Sequence, residues 1–217
     1  MTDPAIHPTR NTRVGRHPER ASYDRSVIHA ILDEGLVAHV GFVVHGRPVV
    51  LPMGYGRLGD RLILHGSAVS RMLRTLTDGV EACVTVTLLD GLVLARSTFH
   101  HSMNYRSVAL FGRARVVEGD VARREALDAL VEHLVPGRTR DARPPSPAEM
   151  EATEVLELPI DEASAKIRTG PPVDASGDLG LDVWAGVVPL RQVAGPPEPA
   201  PDADAPVPDY VTGYSRG

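Results

Sequence analysis

His100-His101-Ser102-Met103-Asn104-Tyr105-Arg106-Ser107 runs directly into Val108-Ala109-Leu110-Phe111-Gly112-Arg113-Ala114-Arg115-Val116-Val117, and the two halves obey different rules. In the second half Val108, Leu110, Gly112, Ala114 and Val116 fall on one face, while Arg113 and Arg115 fall on the other. That period of two predicts a long strand with one face buried. The first half crowds two imidazoles, an amide, a phenol, a guanidinium and two hydroxyls into eight residues. Polar groups at that density would each need a partner if buried. They read as a ligand-recognition edge at the head of a barrel strand.

The flanking sequence supplies the rest of a barrel. Ser22 is placed to cap a helix carrying Val27, Ile28, Ile31 and Leu32, which Gly35 stops. Strands are predicted over 37–44 and 47–55 across a His45-Gly46 turn, and over 61–65 after a turn at 57–60. A short helix follows over 69–76, then strands over 80–89 and 92–97 joined by an Asp90-Gly91 turn. From Asp120 the period becomes helical, with Leu127, Leu130, Val131 and Leu134 on one stripe and Pro136-Gly137 as the stop. A helical turn over 149–152, a strand over 153–159, a short helix over 161–166, an extended piece over 166–169 and a closing strand over 183–188 complete the pattern. The fold class is mainly β, an antiparallel β-barrel with peripheral helices. Residues 1–20 form a polar N-terminal arm, 21–192 the barrel, and 193–217 a mobile tail rich in Pro, Ala and Asp.

Composition narrows the function classes. The chain has 217 residues, 42% of them hydrophobic, which suits about one domain with a real core. A formal charge of −5 gives no argument for nucleic acid or an anionic membrane as a partner, and neither is expected. Lys166 is the only lysine among 23 basic residues, a bias that a GC-rich coding genome explains, with anion binding by a few of the arginine forks as the functional alternative. Cys83 stands alone, so an intrachain disulfide and a thiolate metal site are both excluded, and its apolar strand makes it an inert core residue. The first twenty residues lack a signal-peptide apolar run, and no window approaches the roughly 18 apolar residues of a bilayer span. A cytoplasmic protein is the expectation.

Leu64-His65-Gly66-Ser67-Ala68-Val69-Ser70-Arg71 passes from strand into helix. Ser67, Ser70, the unpaired first helical N–H groups and the Arg71 fork make a phosphate cradle. The same residues also read as a serine-capped helix followed by a solvated arginine. His65 suits either a hydrogen-bonded structural role or a tunable acid/base role. His100 and His101 are adjacent on a strand, point to opposite faces and lack a nearby carboxylate, so no metal site is expected there. Trp184, the sole tryptophan, is a core or interface anchor or a stacking surface for a planar ligand.

Taken together, Arg16-His17-Pro18-Glu19-Arg20, Leu64-His65-Gly66-Ser67, Ser70-Arg71-Met72, the run from Asp90 to Ser97, Asn104-Tyr105-Arg106-Ser107-Val108 and the run from Trp184 to Pro189 resemble one family. It is the pyridoxamine 5′-phosphate oxidase-related, FMN-binding split-barrel superfamily, in its flavin-nucleotide-binding, nitroimidazole-resistance-like branch. The resemblance implies a split β-barrel homodimer with flavin at the subunit interface. Its Ser70-Arg71 pair would hold the flavin phosphate with help from Ser67. Pro52, Met53, Gly54 and Tyr55 would lie along the ring, Arg106 and Ser107 would meet its polar edge, and His65 would face the substrate. Two departures argue against pyridoxal phosphate synthesis: Met72 replaces a second basic residue, and no Arg-x-His segment follows Trp184. The function implied is an FMN-binding oxidoreductase passing a hydride to a small electron-poor acceptor. The alternatives are a non-catalytic flavin carrier or sensor, a deazaflavin-binding protein, and a haem protein served by His100 or His101. His65 is the imidazole singled out for substitution.

Overall fold

A computed structural model describes residues 5–216. Strand β1 (Ala21–Ser22) precedes helix α1 (Arg25–Glu34), strands β2 (Val37–Val44), β3 (Arg47–Gly54), β4 (Gly56–Leu58) and β5 (Arg61–Ser67), and helix α2 (Arg71–Thr77). Next come β6 (Glu81–Leu94), β7 (Ser102–Arg113), β8 (Arg115–Val116) and α3 (Asp120–Leu134). The chain ends with α4 (Pro147–Ala152), β9 (Thr153–Pro159), β10 (Glu162–Arg168), β11 (Gly186–Pro189) and α5 (Asp209–Thr212).

The strands form two antiparallel sheets, one ordered β1-β10-β7-β6-β2-β3 with β11 added on β6, the other β4-β5-β9-β8. Only Tyr55 separates β3 from β4, and only Ala114 separates β7 from β8. Each pair is therefore one strand that leaves the first sheet and enters the second. With β2 paired to β6, the ring β2, β3/β4, β5, β9, β8/β7, β6 closes on itself. Inside lie Val40, Leu62, Leu64, Val84, Val86, Leu110, Leu156 and Leu158. A second cluster of Ile63, Val117, Ala126 and Val155 lies between the smaller sheet and α3.

Both crossing points are buried. Tyr55 has no exposed surface, and its hydroxyl donates to the Leu32 carbonyl near the end of α1 at 2.6 Å. Its ring lies 4.7 Å from that of His133 on α3, whose Nε2–H donates to the Gly35 carbonyl at 2.8 Å. Glycine is required on both sides. A Cβ on Gly35 would fall 2.4 Å from Val86 Cγ1, and one on Gly56 would fall 2.7 Å from Leu130 Cα. Helices α1 and α3 can therefore approach the seam where β3 becomes β4.

Three local expectations need correction. Asp90-Gly91 is not a hairpin turn. Strand β6 continues to Leu94, with a bulge between Leu89 and Gly91 in its pairing to β7. The Asp90 carboxylate is drawn to Arg106, and Gly91 gives room to β11, whose Val188 carbonyl lies 3.0 Å from a Cβ built there. Residues 161–166 are not helical either: Ala163 and Ala165 are fully buried in β10, where pairing with β7 overrides alanine's helical preference. Helix α1 begins after Asp24, whose Oδ1 accepts the Ser26 N–H at 2.9 Å, while Ser22 pairs with Ala165 in β1.

The segment expected as a polar arm sends Ile6 into the core, with its N–H on the Tyr23 carbonyl. The segment expected as a tail returns to the body at its end. Tyr214 donates to the Leu134 carbonyl at 2.9 Å and Arg216 to the Asp33 carbonyl at 2.6 Å.

Because Leu130 backbone cannot give way, Gly56→Ala is expected to cost about 1–3 kcal/mol. Gly15→Ala, with nothing within 4 Å of the added carbon, should be close to neutral; chemical denaturation of the two variants checks the contrast. Burial lowers the pKa of both His65 and His133. The unfolded chain then binds more protons than the folded one as pH falls through about 6.5, so stability is full above that value and declines below it. Thermal melts should give a lower Tm at about pH 5.5 than at about pH 7.5, with a smaller difference in His133→Gln.

Candidate functional site

The end of β5 and the start of α2 bring Ser67, Ser70 and Arg71 to one short loop. The connecting loop holds itself in place: Ser70 N–H donates to the Ser67 carbonyl at 2.8 Å, and Ala68 N–H to the Ala152 carbonyl at 3.0 Å. Val69 N–H reaches Ser67 Oγ at 3.4 Å. Gly66 lets α2 pack closely, since a Cβ there would lie 3.1 Å from Leu73 Cδ1. Ser70 occupies the N-cap position of α2, yet its side chain makes no capping hydrogen bond. Its hydroxyl is uncommitted beside the first helical N–H groups and the exposed Arg71. Donors of this kind on a fixed loop suit a phosphate oxygen, and the serine-cap reading of the sequence is not what the geometry carries.

His65 lies on the same face of β5 as Ser67, two residues earlier, and pairs with Val155 of β9. Its Nδ1 is buried and has no hydrogen-bond partner. Desolvation lowers its pKa, so the ring is neutral at pH 7. A buried N–H without an acceptor is the costlier orphan, so the proton belongs on Nε2. The imidazole is thus set up as a donor through Nε2.

Pro52, Met53 and Gly54 end β3, which has a strand partner on one side only, so its outer backbone edge is open. Met53 packs partly against the core. Tyr55 does not offer its ring or hydroxyl to a ligand, because both are used in the seam beneath α1 and α3.

Arg106 and Ser107 do not form the shared edge expected of them. The Arg106 Nε and Nη2 donate to Asp90 at 3.0 and 2.8 Å, Nη2 also reaches Glu34 Oε1 at 2.7 Å, and Nη1 pairs with Glu34 Oε2. Two carboxylates raise its pKa and leave no free fork for a phosphate or ring edge. Ser107, its neighbour on the opposite face, donates to the Lys166 carbonyl at 3.2 Å. Glu34 was not singled out by sequence. It sits 72 residues from Arg106, and no local signal joins them.

Trp184 belongs to a different neighbourhood. It is 65% exposed, and its indole lies over Gly186 at the start of β11, where a Cβ would come within 2.8 Å of Cζ2. Among the described residues, no group of three or more His, Cys, Asp or Glu side chains is placed to hold a metal ion.

Solved proteins similar to this chain over most of its length include two from bacteria. A flavocytochrome from Azotobacter vinelandii shares 42% identity over 98% of this chain and 100% of its own, with a TM-score of 0.91. An FAD- and haem-binding protein from Mycobacterium smegmatis shares 44% identity over 89% of this chain and 96% of its own, with a TM-score of 0.86. A putative 5-nitroimidazole antibiotic resistance protein from Bacteroides thetaiotaomicron is 26% identical over 68% of this chain and 86% of its own, at a TM-score of 0.57. No curated protein matches the sequence. Residues 24–167 match the pyridoxamine 5′-phosphate oxidase family, and the ring of strands with two shared members is its split barrel. The chain belongs to that family, in the split-barrel superfamily that also holds flavocytochrome, flavin- and haem-binding relatives.

Proposed function

We propose that this protein is a flavin- and haem-binding redox protein whose flavin nucleotide is anchored by phosphate at Ser67, Ser70 and Arg71. One observation carries the reading: the Ser70 hydroxyl is left free beside an exposed arginine on a loop fixed by its own backbone bonds. One similar protein is named a flavocytochrome, and another is named as binding FAD and haem. FAD is therefore taken ahead of the FMN implied by the sequence resemblance, and a deazaflavin falls behind both.

The bound flavin would supply hydride transfer to a small electron-poor acceptor such as a quinone or nitroaromatic. Around it, Arg71 and the α2 amides hold the phosphate, and the free edge of β3 at Pro52 to Gly54 borders the ring. His65 presents Nε2–H to the acceptor, and its apolar setting keeps it a neutral donor near pH 7. A second copy of the chain would cover the open edge of β3, where Val50 and Leu51 are 61% and 41% exposed.

Quenching of flavin fluorescence during titration with FAD, FMN and riboflavin tests the anchor. Ser70→Ala and Arg71→Ala should each weaken FAD and FMN binding about tenfold or more, as expected when a charge-assisted hydrogen bond is lost. Riboflavin, lacking phosphate, should bind all three proteins alike. Equal affinity of the variants and the parent for FAD and FMN would remove the phosphate role from these residues.

A further inference from the structure

Iron in a porphyrin takes an imidazole nitrogen that carries a lone pair and can be reached from outside. Several histidines fail that requirement because of where their protons must sit. His133 Nε2 donates to the Gly35 carbonyl, so its proton is on Nε2. His65 likewise keeps its proton on Nε2, since its Nδ1 is buried without an acceptor. His29 Nε2 lies 3.1 Å from Asp60, which calls for a proton there as well.

His101 has the opposite arrangement. Its Nδ1 is 3.0 Å from the Ser97 carbonyl, which can only accept, so Nδ1 carries the proton and Nε2 keeps its lone pair. The ring is exposed. A backbone carbonyl on the remote nitrogen is the usual way a ligating imidazole is oriented and its basicity raised.

The surface around His101 suits a large apolar ring. Strand register places Val188 beside Leu92 and Leu92 beside Met103, and these are 41%, 38% and 50% exposed. The next position on the same face holds Gly186 beside Leu94, with the Trp184 indole over Gly186. Ser102 pairs with Val93, so His101 is the residue that continues β7 past Leu94. Phe99, 87% exposed, meets the His100 ring edge-on at 5.1 Å. Three strands about 4.8 Å apart thus carry two adjoining apolar rows with one free imidazole at their edge. Large apolar side chains grouped in this way mark a binding surface.

The segment that leads from β10 toward Trp184 is anchored near its start. The Asp174 carboxylate, 3% exposed, receives the Arg96 N–H and guanidinium, each at 2.7 Å. Arg168 donates to the Gly170 and Pro171 carbonyls.

We propose that His101 is the haem-iron ligand of this protein, with Leu92, Met103, Val188 and Trp184 covering the apolar surface of the porphyrin. The assignment rests on the haem half of the proposed function. The test is titration of the full chain with ferric haem, followed by optical and electron paramagnetic resonance spectra of both oxidation states. The parent protein should show a sharp Soret band and an imidazole-ligand signature. His101→Ala should lose that signature, bind haem at least tenfold more weakly, and regain the spectrum on adding free imidazole. His100→Ala should keep the parent spectrum, and His101→Ala should still take up FAD, which shows that it is folded. An unchanged spectrum in His101→Ala, or a loss confined to His100→Ala or His65→Ala, overturns the ligand assignment and leaves haem binding in place. A parent protein that takes up FAD but no haem overturns the assignment together with the haem reading.

Discussion

Everything in this fold depends on two strands that belong to both sheets. A sheet that curls has edges to satisfy, and here the chain closes the ring by passing through Tyr55 and Ala114 without a turn at either place. Tyr55 fixes the first crossing, because a fully buried phenol must find a hydrogen-bond partner and the Leu32 carbonyl is its one acceptor. That bond sets where α1 ends against the barrel. His133 sets α3 in the same way, through the Gly35 carbonyl. The Ser67-to-Arg71 loop after β5 inherits its position from this seam, since β5 pairs with β4 on one side and β9 on the other.

The polar stretch at the head of β7 is divided among three tasks. Arg106 gathers Glu34 and Asp90 and so ties the end of α1 to the bulge in β6. Asn104, 8% exposed, shares the Gly170 carbonyl with Arg168 and stabilises the return toward β11. Only His101, just before the strand, keeps a ring nitrogen facing outward with a fixed proton on the other. Buried polar groups that satisfy one another are architecture, and those left over at the surface are candidates for chemistry.

Much of this was legible in the amino-acid pattern. Alternation over 108–117 marks β7, and the stripe of Leu127, Leu130 and Leu134 marks α3. The Ser67-to-Arg71 segment reads as a cradle or a cap, and the absence of a capping bond from the Ser70 side chain has no mark in the sequence. Asp90-Gly91 carries hairpin chemistry, but Gly91 is there for the approach of β11, a contact set by residues nearly a hundred positions later. Ala163 and Ala165 look helical locally, and their burial against β7 and α1 decides otherwise. Arg106 fits a ligand edge in one dimension, whereas its partners come from α1 and the bulge. The tautomers of His65 and His101 are set by a buried nitrogen that lacks a partner and by a backbone carbonyl, neither of which has any mark in sequence.

The open edge of β3 has a further consequence for how copies of this chain can meet. Pro48 and Pro52 stand four residues apart on that strand, and neither has an N–H to give. A neighbouring strand laid along the edge would find its hydrogen-bond ladder starved of donors at regular intervals. Association there must run through side chains such as Val50 and Leu51, which discriminate between partners. The same prolines work against indiscriminate strand addition, the route by which an uncovered edge would otherwise seed aggregation.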